Sequence, residues 1–175
     1  MVLAPIFIMI SIWIKFDSKG SVFFRQERVG RYGETFRIHK FRTMKTDSET
    51  RGRLTIGDDQ RVTQSGKFLR KFKFDVLLGD MSLVGPRPEV QEFIDCYPEG
   101  IRNVVLSVRP GITDQASIEM VDENVILGKY RDSRQAYIDV VLPLKQKFYL
   151  EYIENQNMLL DLILIYRTLV KIIKR

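Results

Sequence analysis

An arginine held between two prolines is the feature of this chain best suited to chemistry. Arg87 lies in Gly85-Pro86-Arg87-Pro88, inside the run Gly79-Asp-Met-Ser-Leu-Val-Gly-Pro-Arg-Pro-Glu89. Each proline fixes its own φ and pushes the residue before it toward extended backbone, so the segment reads as a stiff, non-helical mount for one guanidinium. An arginine fork is always charged and matches phosphate or carboxylate oxygens. The same run carries a carboxylate (Asp80) and a hydroxyl (Ser82), and a second carboxylate, Asp75, stands just upstream. Taken alone, the run fits a surface turn with an exposed arginine equally well.

The rest of the chain narrows the choice. Its 175 residues form one domain with enough chain for a proper core, and 45% hydrophobic against 29% charged residues is the balance of a folded protein. A net charge of +6 points to an anionic partner: nucleic acid, acidic lipid or a phosphorylated substrate. One cysteine (Cys96) leaves no internal disulfide and suits a reducing compartment, and with one histidine (His39) a His/Cys metal cage is unavailable. A metal here would be a hard, oxygen-bound ion such as Mg2+.

The elements that would position Arg87 read as α+β, mostly helical, with a small β-hairpin and amphipathic helices around it. Met1 to Ile14 is uncharged and almost wholly apolar, too short to cross a bilayer straight, which takes about 20 residues. A core helix competes here with the preferred reading, a helix dipping into one membrane leaflet with Trp13 and Lys15 at its polar edge. Val22-Phe24 and Thr35-Ile38 flank Gly30-Arg-Tyr-Gly33 and predict a hairpin with one basic face, drawing on Arg25, Arg28, Arg37, Lys40 and Arg42. That face is either solvated or turned toward phosphates or headgroups. Thr46 to Asp59 reads as a mobile loop, Thr63 to Phe74 as a basic amphipathic helix, and Val90 to Val105 as a further helix followed by an extended turn at Val108–Thr113. Asp122 to Tyr152 has helical spacing with Pro143 as a break or a start. Met158 to Arg175 carries an apolar stripe (Leu159, Leu162, Ile163, Tyr166, Leu169, Val170, Ile173) and closes with Lys171, Lys174 and Arg175, either packed on the core or lying on an anionic membrane surface.

Five stretches occur in a fixed order: Val22-Phe-Phe-Arg-Gln-Glu-Arg-Val-Gly30, Phe36-Arg-Ile-His-Lys-Phe-Arg-Thr-Met44, Gly66-Lys-Phe-Leu-Arg-Lys71, Gly79 to Glu89, and Arg109-Pro-Gly-Ile-Thr113. In this combination the chain resembles the bacterial sugar transferases, the monotopic polyprenyl-phosphate phosphoglycosyl transferases, from about Leu3 to its C-terminus. The resemblance implies transfer of a sugar-1-phosphate from a UDP-sugar to undecaprenyl phosphate, with release of UMP, at the cytoplasmic face of the bacterial inner membrane. It implies a Mg2+ requirement and a nucleophilic aspartate that forms a phosphosugar-enzyme intermediate. Asp75 aligns with the nucleophile and would contact the metal, against a plain surface acid. On the same chemistry Arg87 is the candidate phosphate clamp and Arg70, Lys40 and Arg42 weaker phosphate-binding candidates, against a solvated basic face. Asp80 organises the site or caps the following turn, and Arg42 and Glu89 are not separable from structural roles. Residues 1–15 would be a re-entrant membrane helix turning at Ala4-Pro5, its front half missing, and 16–175 the catalytic domain with a C-terminal amphipathic helix. UDP-sugar, undecaprenyl phosphate and membrane lipids are the implied partners; an oligomer is compatible with them, and no nucleic-acid module is recognisable.

Two departures stand out. The family pattern after the basic helix is Asp-Glu-Leu-Pro-Gln-Leu, a few residues, then Gly-Asp-Met-Ser-Leu, whereas here Asp75 runs directly into Val76-Leu-Leu-Gly79. The glutamate partner of the nucleophile has no counterpart, so the competing expectation is a membrane-surface binding or scaffold protein of the same fold with impaired catalysis. After Thr113, Asp114-Gln-Ala-Ser-Ile-Glu119 differs from the run common in the family and leaves the sugar donor open.

Overall fold

The computed structural model describes residues 4–45, 59–71, 81–120 and 123–174. Ala4–Asp17 is helix α1, with Pro5 in its first turn, where the missing N–H costs nothing. Two strands follow, β1 (Phe23–Val29) and β2 (Thr35–Phe41), paired antiparallel from Phe23↔Phe41 to Val29↔Thr35. The expected hairpin is present. Its single basic face is not, because strand alternation sends neighbouring cations to opposite sides. Arg25 and Arg37 lie on the exposed face with Glu27, while Arg28 and Lys40 lie on the half-buried one.

Helix α2 (Gln64–Lys71) starts where Thr63 Oγ1 accepts from the Gly66 N–H. It packs on α1 through Trp13 and Phe68, whose rings meet edge-on at 5.4 Å. Ile10, Ile14, Phe41 and Leu69 form the small core of this joint. The predicted loop over 46–58 and the end of the predicted basic helix after Lys71 lie outside the described residues.

A second, two-stranded sheet pairs β3 (Ser82–Val84) in parallel with β4 (Gly111–Thr113). Between them, the single helix expected over Val90–Val105 is two short ones, α3 (Gln91–Ile94) and α4 (Glu99–Val105). Pro98 is the reason: it cannot donate into a preceding turn, and it caps α4 instead. After β4 come α5 (Gln115–Glu119), α6 (Glu123–Gly128) and α7 (Ser133–Ala136). A π-helical turn, Tyr137–Val141, leads from α7 into α8 (Leu142–Asn155), where the Leu142 N–H reaches back to the Tyr137 carbonyl. Pro143, which has no N–H for the regular ladder, follows at the start of α8, so it opens the helix.

The main core joins α3, α4, the π-turn and α8 through Phe93, Ile94, Val105, Tyr137, Val141 and Tyr149. Helix α9 (Met158–Lys174) lies over the small parallel sheet, burying Leu164 against Val84, Ile118 and Tyr152. Thr168 and Thr113 hydroxyls meet at 2.6 Å, and Lys171 Nζ donates to the Ile118 carbonyl. The stripe read from the sequence is a different line of the same helix, and it faces outward: Leu159, Leu162, Tyr166, Leu169 and Ile173 are all more than half exposed. No helix among the described residues is long and apolar enough to cross a membrane.

Candidate functional site

The mount for Arg87 is built from backbone. The Gly85 N–H donates to the Thr113 carbonyl and the Gly111 N–H to the Pro86 carbonyl, at 3.1 and 2.9 Å. The two chains approach so closely that a Cβ on Gly111 would stand 2.2 Å from the Gly85 nitrogen, and one on Gly85 would stand 2.6 Å from the Arg109 carbonyl oxygen. Only glycine fits at this crossing. On the far side of Arg87, the Val29 N–H donates to the Glu89 carbonyl at 3.0 Å and Arg28 Nη1 to the Pro88 carbonyl at 3.2 Å. Gly85, Pro86, Pro88 and Glu89 are buried, and Arg87 between them is exposed. The segment is non-helical, as the two prolines require.

Glu89 is a buried carboxylate with hydroxyl and cationic partners. Its Oε1 accepts from the Tyr137 hydroxyl at 2.6 Å and lies 3.5 Å from Lys145 Nζ. Lys145 also donates to the Tyr137 oxygen at 2.9 Å and pairs with Glu123 at 2.9 Å. Arg28 stands 3.8 Å from Glu89 Oε2. Burial works against the charge on Glu89, but Lys145, Arg28, the Tyr137 hydroxyl and Arg87 outweigh it and hold the carboxyl below its usual range. Burial first, and then Glu89 and Glu123, push the Tyr137 hydroxyl well above its ordinary value, so it stays a neutral donor.

The remaining candidates enter from the other end of the hairpin. Arg70 Nε donates to Thr43 Oγ1 at 3.0 Å, just beyond β2. Arg42 is buried, its guanidinium donating to the carbonyls of Lys19 and Ser18 at 2.5 and 2.7 Å. It fastens the turn that follows α1 to the end of the hairpin. Lys40 is half-buried with its ammonium 5.1 Å from the centre of the Phe24 ring. Arg87 is anchored at Val29 and Arg70 near Phe41, so their attachment points are separated by about 20 Å of strand, six steps at ~3.3 Å. Arg70, Arg42 and Lys40 thus belong to the Phe41 end of the hairpin, and Arg87 to the Val29 end. Asp75 and Asp80 fall between Lys71 and Met81, outside the described residues.

Sequence reasoning did not single out Tyr137 or Lys145, which come within reach of Glu89 from 48 and 56 residues away. No local pattern marks such a pairing. It also missed Asp17, whose carboxylate accepts from both the backbone and the hydroxyl of Ser65 at 2.8 and 2.7 Å and so ties α1 to the start of α2. The Ser/Thr-rich start of α2 was a readable capping signal, though not one that named its partner.

No group of three His, Cys, Asp or Glu among the described residues could hold a metal. Glu89 is taken up by its own cations, and Asp114 by the Ser117 N–H and hydroxyl at the start of α5. The described residues therefore do not make a Mg2+ site by themselves.

A family model described as bacterial sugar transferase matches residues 1–175, and the chain belongs to that family. It is 36% identical over 176 residues to a UDP-N-acetylgalactosamine-undecaprenyl-phosphate N-acetylgalactosaminephosphotransferase of Aeromonas hydrophila, a match covering 95% of this chain and 38% of the relative. It is 30% identical over 190 residues to the exopolysaccharide production protein ExoY of Sinorhizobium fredii (95% and 76%). It is 32% identical over 180 residues to a UDP-glucose:undecaprenyl-phosphate glucose-1-phosphate transferase of Xanthomonas campestris (97% and 35%). The chain thus spans little more than a third of the length of the first and third of these relatives. All three alignments are longer than the chain itself, so each relative carries residues within the matched region that this chain lacks.

Proposed function

We propose that this chain moves a sugar-1-phosphate from a UDP-sugar to undecaprenyl phosphate at a membrane surface, releasing UMP. The observation that carries the reading is Arg87, an exposed guanidinium whose flanking residues are buried and tied to β1 and β4. A cation fixed in this way needs no reorganisation to meet the charge of a diphosphate. Arg70 and Lys40 would contact the same substrate from the α2 end. Arg42 serves the site indirectly, by holding α1 against the hairpin.

In the proposed reaction a carboxylate oxygen of Asp75 attacks the β-phosphorus, and the bond from that phosphorus to the bridging oxygen breaks. UMP leaves with the bridging oxygen. A phosphate oxygen of undecaprenyl phosphate then attacks the same phosphorus and restores the aspartate, leaving the sugar on a lipid diphosphate. Arg87 would neutralise charge on the transferring group through both steps. Mg2+, held by Asp75 and substrate phosphates, would supply further neutralisation; binding through one or two carboxylates plus substrate phosphates is its usual habit.

The apolar outer faces of α1 and α9 support the membrane assignment. On α1, Ile8, Met9, Ile12 and Phe16 are at least half exposed, and Trp13 is 41% exposed beside Lys15. Insertion of α1 into one leaflet, as a re-entrant or interfacial helix, is part of this proposal. The test is incubation of membranes containing the protein with radiolabelled UDP-sugars, undecaprenyl phosphate and Mg2+. Labelled lipid and UMP are expected; a donor panel that yields neither removes the reading. The missing glutamate favours a second reading, a protein that binds the membrane and UDP-sugar without turnover. It predicts retention of UDP by wild type with no labelled lipid.

A further inference from the structure

The reaction above assigns no role to the buried charges behind Arg87. We infer that Glu89, Tyr137 and Lys145 form a brace that fixes the backbone position from which Arg87 is presented, making them positioning residues for the diphosphate of the UDP-sugar. This rests on the reading of Arg87 as a phosphate clamp.

The chain of contacts is short and directed. Lys145, on α8, donates to the Tyr137 oxygen at 2.9 Å, and Tyr137 donates to Glu89 at 2.6 Å. Only Pro88 separates Glu89 from Arg87, and its φ is locked. The position of the Glu89 backbone therefore bears directly on where the Arg87 Cα stands. Arg28 grips the intervening Pro88 carbonyl from β1 and faces the second Glu89 oxygen. Elements far apart in the chain thus converge on the two residues after Arg87, while β4 holds the two before it. As a source of stability alone the cluster is a poor choice, because apolar residues of similar volume often do as well or better. What it supplies is one defined geometry. Chemistry at a transferring phosphoryl group is sensitive to that: misplacement by about 1 Å can cost about a hundredfold in rate.

A double-mutant cycle on the full chain in lipid nanodiscs separates this role from a structural one. Tyr137→Phe removes one hydroxyl and keeps the ring, and Glu89→Gln is a second variant of nearly the same shape. Tyr152→Phe is the control: it loses a comparable bond, to Asp161 at 2.8 Å, in a part of α8 that does not reach Arg87. The readouts are kcat and KM for UMP release and, independently, binding of UDP alone by titration calorimetry. Tyr137→Phe and Glu89→Gln are expected to weaken UDP binding and raise KM about tenfold, and Tyr152→Phe to change neither. In an Arg87→Ala background, Tyr137→Phe should add nothing. The inference is overturned if Tyr137→Phe matches the control, or if its loss adds in full to that of Arg87→Ala. Wild type that neither binds UDP nor releases UMP would instead remove the reading of the site, and the inference with it.

Discussion

Arg87 lies directly between two prolines and Arg42 directly after a strand end, and burial gives them opposite tasks. Arg42 spends its guanidinium on two carbonyls of the turn after α1, whereas Arg87 is presented outward from a fixed backbone. Arg87→Ala is expected to lower kcat/KM for UMP release about a hundredfold, the usual scale for losing a preorganised charge-stabilising group, with little change in melting temperature. Arg87→Lys, which keeps the charge and loses the fork, should recover only part of it. Arg42→Ala should do the reverse, costing about 2 kcal/mol of stability through two lost charged hydrogen bonds while folded molecules keep their turnover. Equal activity losses in the two variants would contradict this division. Glu89 makes a further prediction at this scale. Its carboxyl titrates below the usual 4.5 in the folded chain, so its contribution is complete above that value and is lost as pH falls through the lower, folded value. Acid unfolding followed by circular dichroism should therefore steepen below about pH 4.5 in wild type and flatten in Glu89→Gln. Of this site, Arg87 was legible because proline restrictions are local. Tyr137 and Lys145 were not, since a buried ion pair is made by tertiary packing and leaves no spacing behind.

The elements hold their functional residues through close backbone crossings more than through side-chain bulk. At Gly66, on α2, a Cβ would lie 2.1 Å from the Thr43 carbonyl oxygen, which is backbone and cannot rotate away. Gly66→Ala must therefore push α2 off the segment that positions Arg70, at a cost of about 1–3 kcal/mol from overpacking, and should weaken UDP binding as well. Gly111→Ala should separate β4 from the Pro86 carbonyl and release the base of the Arg87 mount. Thermal melting and UDP titration of the two variants check this; wild-type values for either would mean that the crossing is looser than the structure shows. How far these elements could be read in advance depended on how local their causes are. The hairpin was legible because alternation and the glycine-flanked turn are short-range signals, and α8 because Pro143 marks its start. The division at Pro98 was there to be read, yet the apolar spacing over Val90–Val105 argued for one helix. The alternation that revealed the hairpin also dictates that its cations divide between two faces, a consequence that counting cations along the sequence hides. For α9 the periodicity identified an apolar stripe correctly, but packing on the small sheet used the neighbouring line through Leu160, Leu164 and Thr168, and the stripe itself faces outward.

At the scale of the whole molecule, the outward apolar faces of α1 and α9 need a neighbour more than the net charge does. Full burial of a large apolar side chain contributes about 1.5–3 kcal/mol, so each half-exposed one on α1 gains on insertion about as much as the ~1 kcal/mol that each lysine or arginine gains beside an anionic lipid. The electrostatic part is screened over about 10 Å at 0.1 M salt, and the apolar part is not. Lys171 is moreover tied to the Ile118 carbonyl, which reduces the cations that α9 offers to headgroups. Binding to anionic vesicles should therefore survive 0.5 M NaCl in large part. It should fall sharply when Ile12 and Phe16, 52% and 87% exposed, are both replaced by glutamate. Neither residue belongs to the small core of the α1–α2 joint, so the double variant should fold with the wild-type melting temperature and retain UDP binding. Vesicle co-sedimentation across a salt series reads the two contributions apart. Complete release of the wild type by salt would make the attachment electrostatic, and α1 would then have to cover its apolar face against another protein surface.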